Sequence, residues 1–261
     1  MAGQSSEEII HHHLTHLNAG SGFWSLDIDT LLFSMALGAL FCWWFYRMAQ
    51  QLASGKATFG STIAMMIFKF IDGTVKELFG YSRADIGSLA LVIFVWVFLW
   101  NTMDMIPVDL IPNIASYLGI HYFKIVPSVN PNATFGISIV VILLTYIYLY
   151  KNSHGLNGFI KSIGSHPFEA HGALGKIVLY PINLGLKIIE DVAKMVSLAM
   201  RLYGNMFAGE LVFVLISLLP WPAQILPGGA WAIFHILVIS VQAYVAMILS
   251  VVYLSMTEVQ H

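Results

Sequence analysis

Apolar runs long enough to cross a bilayer recur along this chain. About 20 mainly apolar residues span a bilayer as a helix, and five such segments occur, at approximately residues 30–46, 86–103, 133–150, 195–219 and 230–256. Asp27 and Asp29 precede the first segment, where they can cap its free amide groups, and Arg47 ends it. The pattern predicts an all-α polytopic membrane protein with five membrane segments.

A shorter segment between the first two spans mixes charge with apolar residues. Residues 61–79 read STIAMMIFKFIDGTVKELF and place Lys69, Asp72 and Lys76 at helical spacing. A sixth crossing would put Lys69 and Asp72 in mid-bilayer, at a cost of about 2.5 to 3.5 kcal/mol each. We therefore favour an amphipathic helix within residues 57–84 that lies in the cytoplasmic interface.

The basic residues indicate how the chain is oriented. Two loops hold most of them: Arg47, Lys56, Lys69, Lys76 and Arg83 between the first two spans, and Lys151, Lys161, Lys176, Lys187 and Lys194 between the third and fourth. The opposite side has Lys124 alone, and the turn PWPAQILPGG at residues 220–229 has no charge. Because basic loops stay in the cytoplasm, we expect the N-terminus outside and the C-terminus inside, as five crossings require.

Composition indicates that this protein lies in a lipid bilayer but leaves its function open. The chain of 261 residues is 58% hydrophobic and 10% charged, with a mean hydropathy of +0.77, which suits a channel, a transporter or an intramembrane enzyme equally. Its net charge of -2 and lack of a dense basic run exclude nucleic acid as a partner. The single cysteine, Cys42, allows no disulfide or cysteine metal cluster within the chain.

The N-terminal residues give weaker signals. Residues 1–46 contain no Lys or Arg, so we expect no signal peptide and treat the start as mature protein. His11, His12 and His13, with His16 close behind, could belong to a tag or a metal site. Their setting in EEIIHHHLTHL favours a short amphipathic surface helix.

An arginine lies in the middle of the fourth apolar segment. Arg201 stays protonated, and an intramembrane arginine normally faces the bundle interior or a water-filled path, so a functional role is the default interpretation. The alternative is that Arg201 snorkels or pairs with Glu210. At 100° per residue, Asn205 lies about 40° from Arg201, whereas Glu210 lies about 180° away and roughly 13 Å along the axis. A simple ion pair on one straight helix is therefore excluded.

The last apolar segment carries two polar groups on one face. His235 and Gln242 are seven residues apart, which places them about 10 Å from each other. The last two helices must run antiparallel, so if Gln242 lies level with Arg201, then Glu210 lies level with position 233, within one turn of His235. Glu210 and His235 can both titrate near physiological pH and so relay protons. The alternative is that each polar group is a satisfied core residue.

Further polar groups follow the second apolar segment. Asn101 and Asp104 lie at its outer end, and Asp109 comes next. They could extend a proton relay toward outside water. The alternative is that they only terminate the helix before Pro107 and Pro112.

Three ordered blocks resemble subunit a of bacterial F-type ATP synthases: FVWVFLWNTMDMIPVDLIP, MRLYGNMFAGEL and WAIFHILVISVQAYV. The resemblance covers most of the chain from Asp29 onward and gives no role to residues 1–28, which we expect outside. It implies that Arg201 is the essential stator arginine. It further implies that the aqueous path is lined or bordered by Glu210, His235, Asn205 and Gln242, and that the outer access channel includes Asn101 and Asp104.

The resemblance also implies a fold and a mechanism. The whole chain, residues 1–261, would form one membrane domain, in which residues 177–257 are two long tilted helices that hug a ring of c subunits. The chain would offer two offset half-channels to the ring carboxylates, with Arg201 separating them, and would bind the b subunits of the peripheral stalk and other synthase subunits in the bacterial inner membrane. We expect no catalysis by this chain itself and no cofactor.

Two other classes of function remain as alternatives. A secondary ion or solute transporter could use Arg201 and Glu210 as its substrate site, but it would need discontinuous helices or repeated halves, which the sequence does not suggest. An intramembrane metalloenzyme could use the histidines, but no HExxH pair occurs.

Overall fold

The computed structural model describes residues 18–19, 26–105, 127–153, 156–165, 168 and 173–258. This described part contains seven α-helices: α1 Ile28–Ala53, α2 Phe59–Phe79, α3 Ala84–Thr102, α4 Pro131–Asn152, α5 Leu156–Ser165, α6 Ala173–Ser217 and α7 Trp221–Ser255. Two-residue strands, β1 Asn18–Ala19 and β2 Leu26–Asp27, pair antiparallel, and 3₁₀ turns cover Met103–Met105 and Pro127–Val129. The predicted histidine-rich helix and Asp109 lie outside the described residues.

Five of these helices are long and apolar enough to cross a membrane. They are α1, α3, α4, α6 and α7, with candidate spans at Thr30–Ala53, Ala84–Met105, Pro131–Asn152, Leu179–Ser217 and Trp221–Ser255. The prediction of an all-α polytopic protein with five membrane segments is confirmed.

Helix α2 is the predicted amphipathic helix. Its apolar face buries Ile71 and Val75 completely, while Lys69, Lys76 and Glu77 are exposed and Asp72 is 17% exposed. The Thr58 hydroxyl accepts a hydrogen bond from the amide of Ser61, whose own hydroxyl accepts from the amide of Thr58, so the first turn is capped from both sides. Gly80 ends the helix at φ 77°, a left-handed conformation that favours glycine.

The predicted end of the first span was wrong. Helix α1 continues past Arg47 to Ala53, because no residue between them disfavours helix. The first left-handed residue is Gly55, at φ 74°, and it stops the helix as a C-terminal glycine usually does. The side chains of Asp27 and Asp29, predicted to cap the start, lie outside the described part.

The predicted turn at residues 220–229 was also wrong. Helix α7 already begins at Trp221, so the connection from α6 consists of residues 218–220 alone. Pro222 lies in the first turn of α7, where a missing N–H breaks no helical bond, and Pro227 lies only one turn farther along. Helix α6 likewise begins at Ala173, well before the predicted start of its span at residue 195.

Helix α7 runs through the centre of the bundle. One apolar cluster joins it to α2 and α3, and a second joins it to α3, α4 and α6; their buried members are Ile71, Val75, Ile86, Ala90, Met247, Val251 and Leu254, and Val97, Val141, Leu198, Leu202, Ala243, Ala246 and Tyr253. On the side of α3 that faces α1, the Trp96 ring lies against Gly38. A Cβ atom at Gly38 would lie 2.9 Å from this ring. The polar residues of α7 are thereby held against α3 and α6.

Charged residues tie one end of the bundle together. Arg83, just before α3, pairs with Glu258, just after α7, and the Tyr81 hydroxyl donates to the same carboxylate at 3.0 Å. Hydrogen bonds from the Arg83 guanidinium to Asp85 raise the pKa of Arg83. Lys194 of α6 lies beside the C-terminal turns of α7, with its Nζ 5.3 Å from the Tyr253 ring centre. Parts of both predicted basic loops therefore lie at one end, together with the end of α7.

Candidate functional site

A buried histidine and aspartate form the most enclosed polar contact of the described region. Nε2 of His235 in α7 lies 2.6 Å from Oδ2 of Asp104, and the two side chains are 1% and 2% exposed. The 3₁₀ turn that follows α3 brings Asp104 to this position. Asp104 therefore follows the end of the helix and also contacts the imidazole, and its part in a proton relay stays a prediction.

The imidazole is seated against the backbone of α6. A Cβ atom at Gly209 would lie 2.7 Å from His235 Nδ1 and closer still to Cε1, so only a glycine leaves space for the ring. The Phe213 ring meets the imidazole edge to face at 5.4 Å. Trp231 lies on another side and donates its Nε1 hydrogen to the Gly209 carbonyl at 3.3 Å. These contacts fix the ring orientation toward Asp104.

Glu210 follows Gly209 directly and is 5% exposed. Since the Gly209 backbone touches both Trp231 and His235, Glu210 is level with this part of α7, as the antiparallel pairing predicts. Proton exchange between Glu210 and His235 stays a prediction.

An amide pair lies farther along the same two helices. Asn205 Nδ2 donates to Gln242 Oε1 at 2.7 Å, so Gln242 lies one turn from Arg201. Gln242 is buried, and its Nε2 group has no hydrogen-bond partner among the described residues. A buried donor of this kind is a place where water can bind.

Arg201 points outward from the bundle. Its side chain is exposed, and Nη2 donates to Ser197 Oγ at 3.4 Å, one turn toward the N-terminal end of α6. Within the described part of the chain it forms no salt bridge. Glu210, in contrast, is buried, so the alternative of an Arg201–Glu210 ion pair does not describe this structure.

Asn101 is fully buried one turn below Asp104 on α3. Neither atom of its amide group has a partner among the residues that the structure describes, and the same holds for the indole nitrogens of Trp96 and Trp100. Unsatisfied polar groups are costly in an apolar bundle. Asn101 and the Asp104 carboxylate, which contacts α7, mark a polar zone at this end of α3.

The arrangement is a line of polar groups through an apolar bundle. Carboxylate and imidazole groups can accept and release protons, whereas amides can bind and orient water between them. Arg201, which keeps its proton, can only provide a fixed positive charge. The members of the line are Asp104 and His235, which are in contact, Glu210 and Asn101 near them, the Asn205–Gln242 pair, and Arg201 on the surface one turn from that pair.

Some residues of this region gave no signal in the sequence. Gly209 looks like any helical glycine until the position of His235 is known. The pairing of His235 with Asp104 depends on how α3 and α7 pack, which local spacing does not contain. A cluster around Asp191 and Tyr146 could have been suspected from charges inside an apolar segment.

Comparisons with known proteins agree with the resemblance of the three blocks. The family described as ATP synthase A chain matches residues 30–255. A relative from Dichelobacter nodosus, named ATP synthase subunit a, is 58% identical over 254 residues, covering 97% of each chain. A relative from Alkalilimnicola ehrlichii, named ATP synthase subunit a, is 45% identical and covers 99% of this chain and 98% of its own. A relative from Methylococcus capsulatus, named ATP synthase subunit a 1, is 46% identical and covers 100% of this chain and 97% of its own. The chain belongs to the ATP synthase A chain family.

Proposed function

We propose that this chain translocates protons as the stator subunit in the membrane sector of a bacterial ATP synthase. Its bacterial relatives are named ATP synthase subunit a, and its five apolar helices make it a multi-pass protein of the bacterial inner membrane. It is a non-catalytic subunit that works with other ATP synthase subunits.

The exposure of Arg201 is the observation that carries the detailed mechanism. This guanidinium lies on the surface of the bundle, 16 residues from the outer end of α6, or about 24 Å along the helix axis. A lone arginine at such depth costs about 2.5 to 3.5 kcal/mol or more. A partner that brings a carboxylate into the membrane removes this cost. We infer that the partner is the ring of c subunits.

The surface around Arg201 suits a closely packed partner helix. On the same face α6 exposes Ala193, Ser197 and Ala208, and small residues let neighbouring helices approach closely in membranes. The adjacent face of α7 exposes Leu237 and Val241. We propose that residues 177–257 form the ring-facing hairpin.

The lengths of α6 and α7 support a tilted arrangement. They contain 45 and 35 residues, or about 68 and 52 Å of helix, whereas the hydrocarbon core is about 30 Å thick. Tilting is the usual accommodation of such excess length, and it lets the pair follow a curved ring over several subunits.

The mechanism uses two paths that do not meet. A proton enters from outside by way of Asp104, His235 and Glu210 and neutralises a ring carboxylate, which then turns away into the apolar membrane. After nearly a full rotation the carboxylate reaches the inner path and loses its proton. The positive charge of Arg201 favours the ionised carboxylate and blocks direct proton passage between the paths.

The remaining assignments complete the topology. We propose one membrane domain with the N-terminus outside and the C-terminus inside, because parts of both basic loops lie at the end of the bundle where α7 finishes. Helix α2 would lie in the cytoplasmic interface, and the b subunits of the peripheral stalk would be further partners.

Replacing Arg201 tests this function. Arg201→Ala should abolish proton-driven ATP synthesis in membrane vesicles while the complex still assembles, because no fixed charge remains at this face. Arg201→Lys should also be severely impaired, since lysine lacks the planar fork and can lose its proton when buried. Arg47→Ala is the matched control, because Arg47 also belongs to an apolar helix but lies over the Trp43 ring at 5.4 Å. It should support normal synthesis.

Normal synthesis by Arg201→Ala would contradict the stator assignment. Purification in mild detergent distinguishes the alternative of a solute transporter. An ATPase complex with a ring of small subunits supports the proposal, and an isolated monomer that binds solute supports the transporter.

A further inference from the structure

A small cavity lies near the inner end of the bundle, between α4, α5, α6 and the end of α7. Its volume of about 30 Å³ gives room for roughly two water molecules. Its lining mixes polar and charged residues with apolar ones: Thr145, Tyr146, Ser162, Lys187, Asp191, Lys194, Tyr253 and Thr257, and Ile142, Leu149, Ile163 and Met256. The charged and hydroxyl groups of this lining can supply the hydrogen bonds that a bound water molecule needs.

Asp191 is the acidic group of this cavity. Its Oδ1 lies 3.1 Å from Lys187 Nζ, and its Oδ2 accepts a hydrogen bond from the Tyr146 hydroxyl of α4. The carboxylate is 12% exposed. Glu190 is 48% exposed at the rim and pairs with Lys194, so it faces away from the enclosed space.

The charges around Asp191 are balanced. Lys187 and Tyr146 contact its carboxylate directly, and the other titratable groups near it are Glu190 and Lys194 on α6 and Tyr253 on α7. With two lysines and two carboxylates ionised, the cluster is neutral. A proton on Asp191 weakens its ion pair with Lys187, which then keeps the longer contact with Glu190 at 3.9 Å.

A polar stripe connects this cavity to Arg201. At 100° per residue, Ser197, Lys194, Glu190 and Lys187 all lie within about 40° of Arg201 on α6, and the stripe extends about 21 Å toward the inner end. Ser197 already accepts a hydrogen bond from Arg201. The cavity opens on the flank of this stripe, on the side of Arg201 opposite to Asp104 and His235.

We propose that this cavity is the inner water-filled end of the proton route and that Asp191 accepts the protons released beside Arg201. Water passes each proton to the Asp191 carboxylate, and the protonated carboxyl gives it up to water on the inner side, so no other group changes its charge. Tyr146 and Lys187 position the carboxylate. This inference rests on the proposed function, and it assigns a proton-handling residue to the inner path.

Thiol labelling tests the cavity in the assembled complex. In a Cys42→Ser background, Thr145→Cys places a thiol in the cavity lining, and Leu143→Cys, 55% exposed on another face of α4, is the control. Ag⁺, which is no larger than a water molecule, should react with Thr145→Cys from the inner side of oriented vesicles and leave Leu143→Cys unmodified. Modification of Thr145→Cys from the outer side only, or not at all, would overturn the inner path.

Proton flux tests the role of Asp191. Vesicles stripped of the soluble catalytic head are measured at fixed outer pH and varied inner pH. Asp191→Asn should lower flux by about 100-fold and remove its dependence on inner pH, whereas Asp191→Glu should restore most of the flux together with a dependence on inner pH that is shifted from that of wild type. Glu77→Gln, which removes an exposed carboxylate of α2, is the control and should keep at least half of the flux.

The outcomes separate this inference from the proposed function. Normal flux with an unchanged inner pH profile in Asp191→Asn would overturn the role of Asp191 and leave the Arg201 assignment intact. If Asp191→Asn fails to assemble, the flux of Asp191→Glu decides. A shifted inner pH profile in that variant supports the proposal, and a profile identical to wild type contradicts it.

Discussion

The position of His235 depends on a residue that has no side chain. Gly209 lets the imidazole lie against the α6 backbone, where it reaches Asp104. Any larger residue must push the ring away, and the buried carboxylate then loses its partner. The loss of a hydrogen bond to a charged group in such a place costs about 1.5 to 3 kcal/mol.

We therefore expect Gly209→Ala to impair proton flux by roughly tenfold or more, since each 1.36 kcal/mol is a factor of ten in rate. The measurement is proton uptake by vesicles without the catalytic head. Gly185→Ala in the same helix is the control, because a Cβ there meets nothing within 4 Å. Equal proton flux in Gly209→Ala and Gly185→Ala would show that proton transfer does not depend on the position of the His235 ring against α6.

Sequence reasoning predicted this site in part. Arg201 and the level of Glu210 with α7 follow from helical spacing and an antiparallel pair, since both are local properties of two adjacent helices. The contact of Asp104 with His235 spans 131 positions and depends on the packing of α3 on α7. The exposure of Arg201 was likewise beyond the sequence, because spacing gives an angle on a helix but not what lies beside it.

At the scale of elements, an ion pair and a hydrogen bond of Asp72 stabilise the corner between α2 and α3. Asp72 accepts from Lys76 at 2.6 Å and from the Ser82 hydroxyl at 2.9 Å. These interactions, the one with Lys76 first, lower the pKa of Asp72 below its ordinary value of 3.8. The folded protein thus binds this proton less tightly than the unfolded chain, so the contribution of Asp72 to stability is present above about pH 4 and is lost as the pH falls.

Thermal unfolding of the purified complex against pH tests this corner. Wild type should have a higher Tm than Asp72→Asn at pH 7, and the difference should shrink as the pH falls below about 4. Glu77→Gln, on the exposed side of α2, should show little difference at either pH. A gap between wild type and Asp72→Asn that stays constant with pH would argue that the carboxylate charge is unimportant here.

The elements themselves were largely predictable, but their ends were not. Five spans follow from apolar length, which the bilayer imposes directly. The early start of α6 was missed because its first turns mix Lys187, Glu190 and Asp191 with apolar residues, and a search for apolar runs stops at charges. The start of α7 was missed because Pro222 and Pro227 indicate a turn in most contexts. Pro222 is tolerated in the first turn of the helix, whereas Pro227 lies inside α7, where it removes one backbone hydrogen bond.

At the scale of the whole molecule, the Arg83–Glu258 ion pair joins the start of α3 to the end of α7. It fastens the finish of α7 to the corner before α3, and Tyr81 contributes a further hydrogen bond to Glu258. Both charged side chains are about one-fifth to one-quarter exposed, so solvent screens the pair only partly.

Glu258→Gln should lower the free energy of unfolding by about 1 kcal/mol, the upper end of the range for partly exposed pairs, and Glu258→Lys should lower it more by opposing Arg83. The readout is Tm in detergent, with Glu77→Gln again as the neutral surface substitution. A Glu258→Lys variant as stable as wild type would show that the end of α7 is held by apolar packing alone.

The short connection between α6 and α7 has a consequence for how the protein enters the membrane. The span in α6 has a mean hydropathy of only 1.3, against 2.2 for the span in α7, and three residues join the two helices. A segment as polar as α6 partitions weakly into lipid by itself. We expect the ribosome to finish α7 before α6 leaves the translocon, so the two helices would be inserted as one unit during biosynthesis.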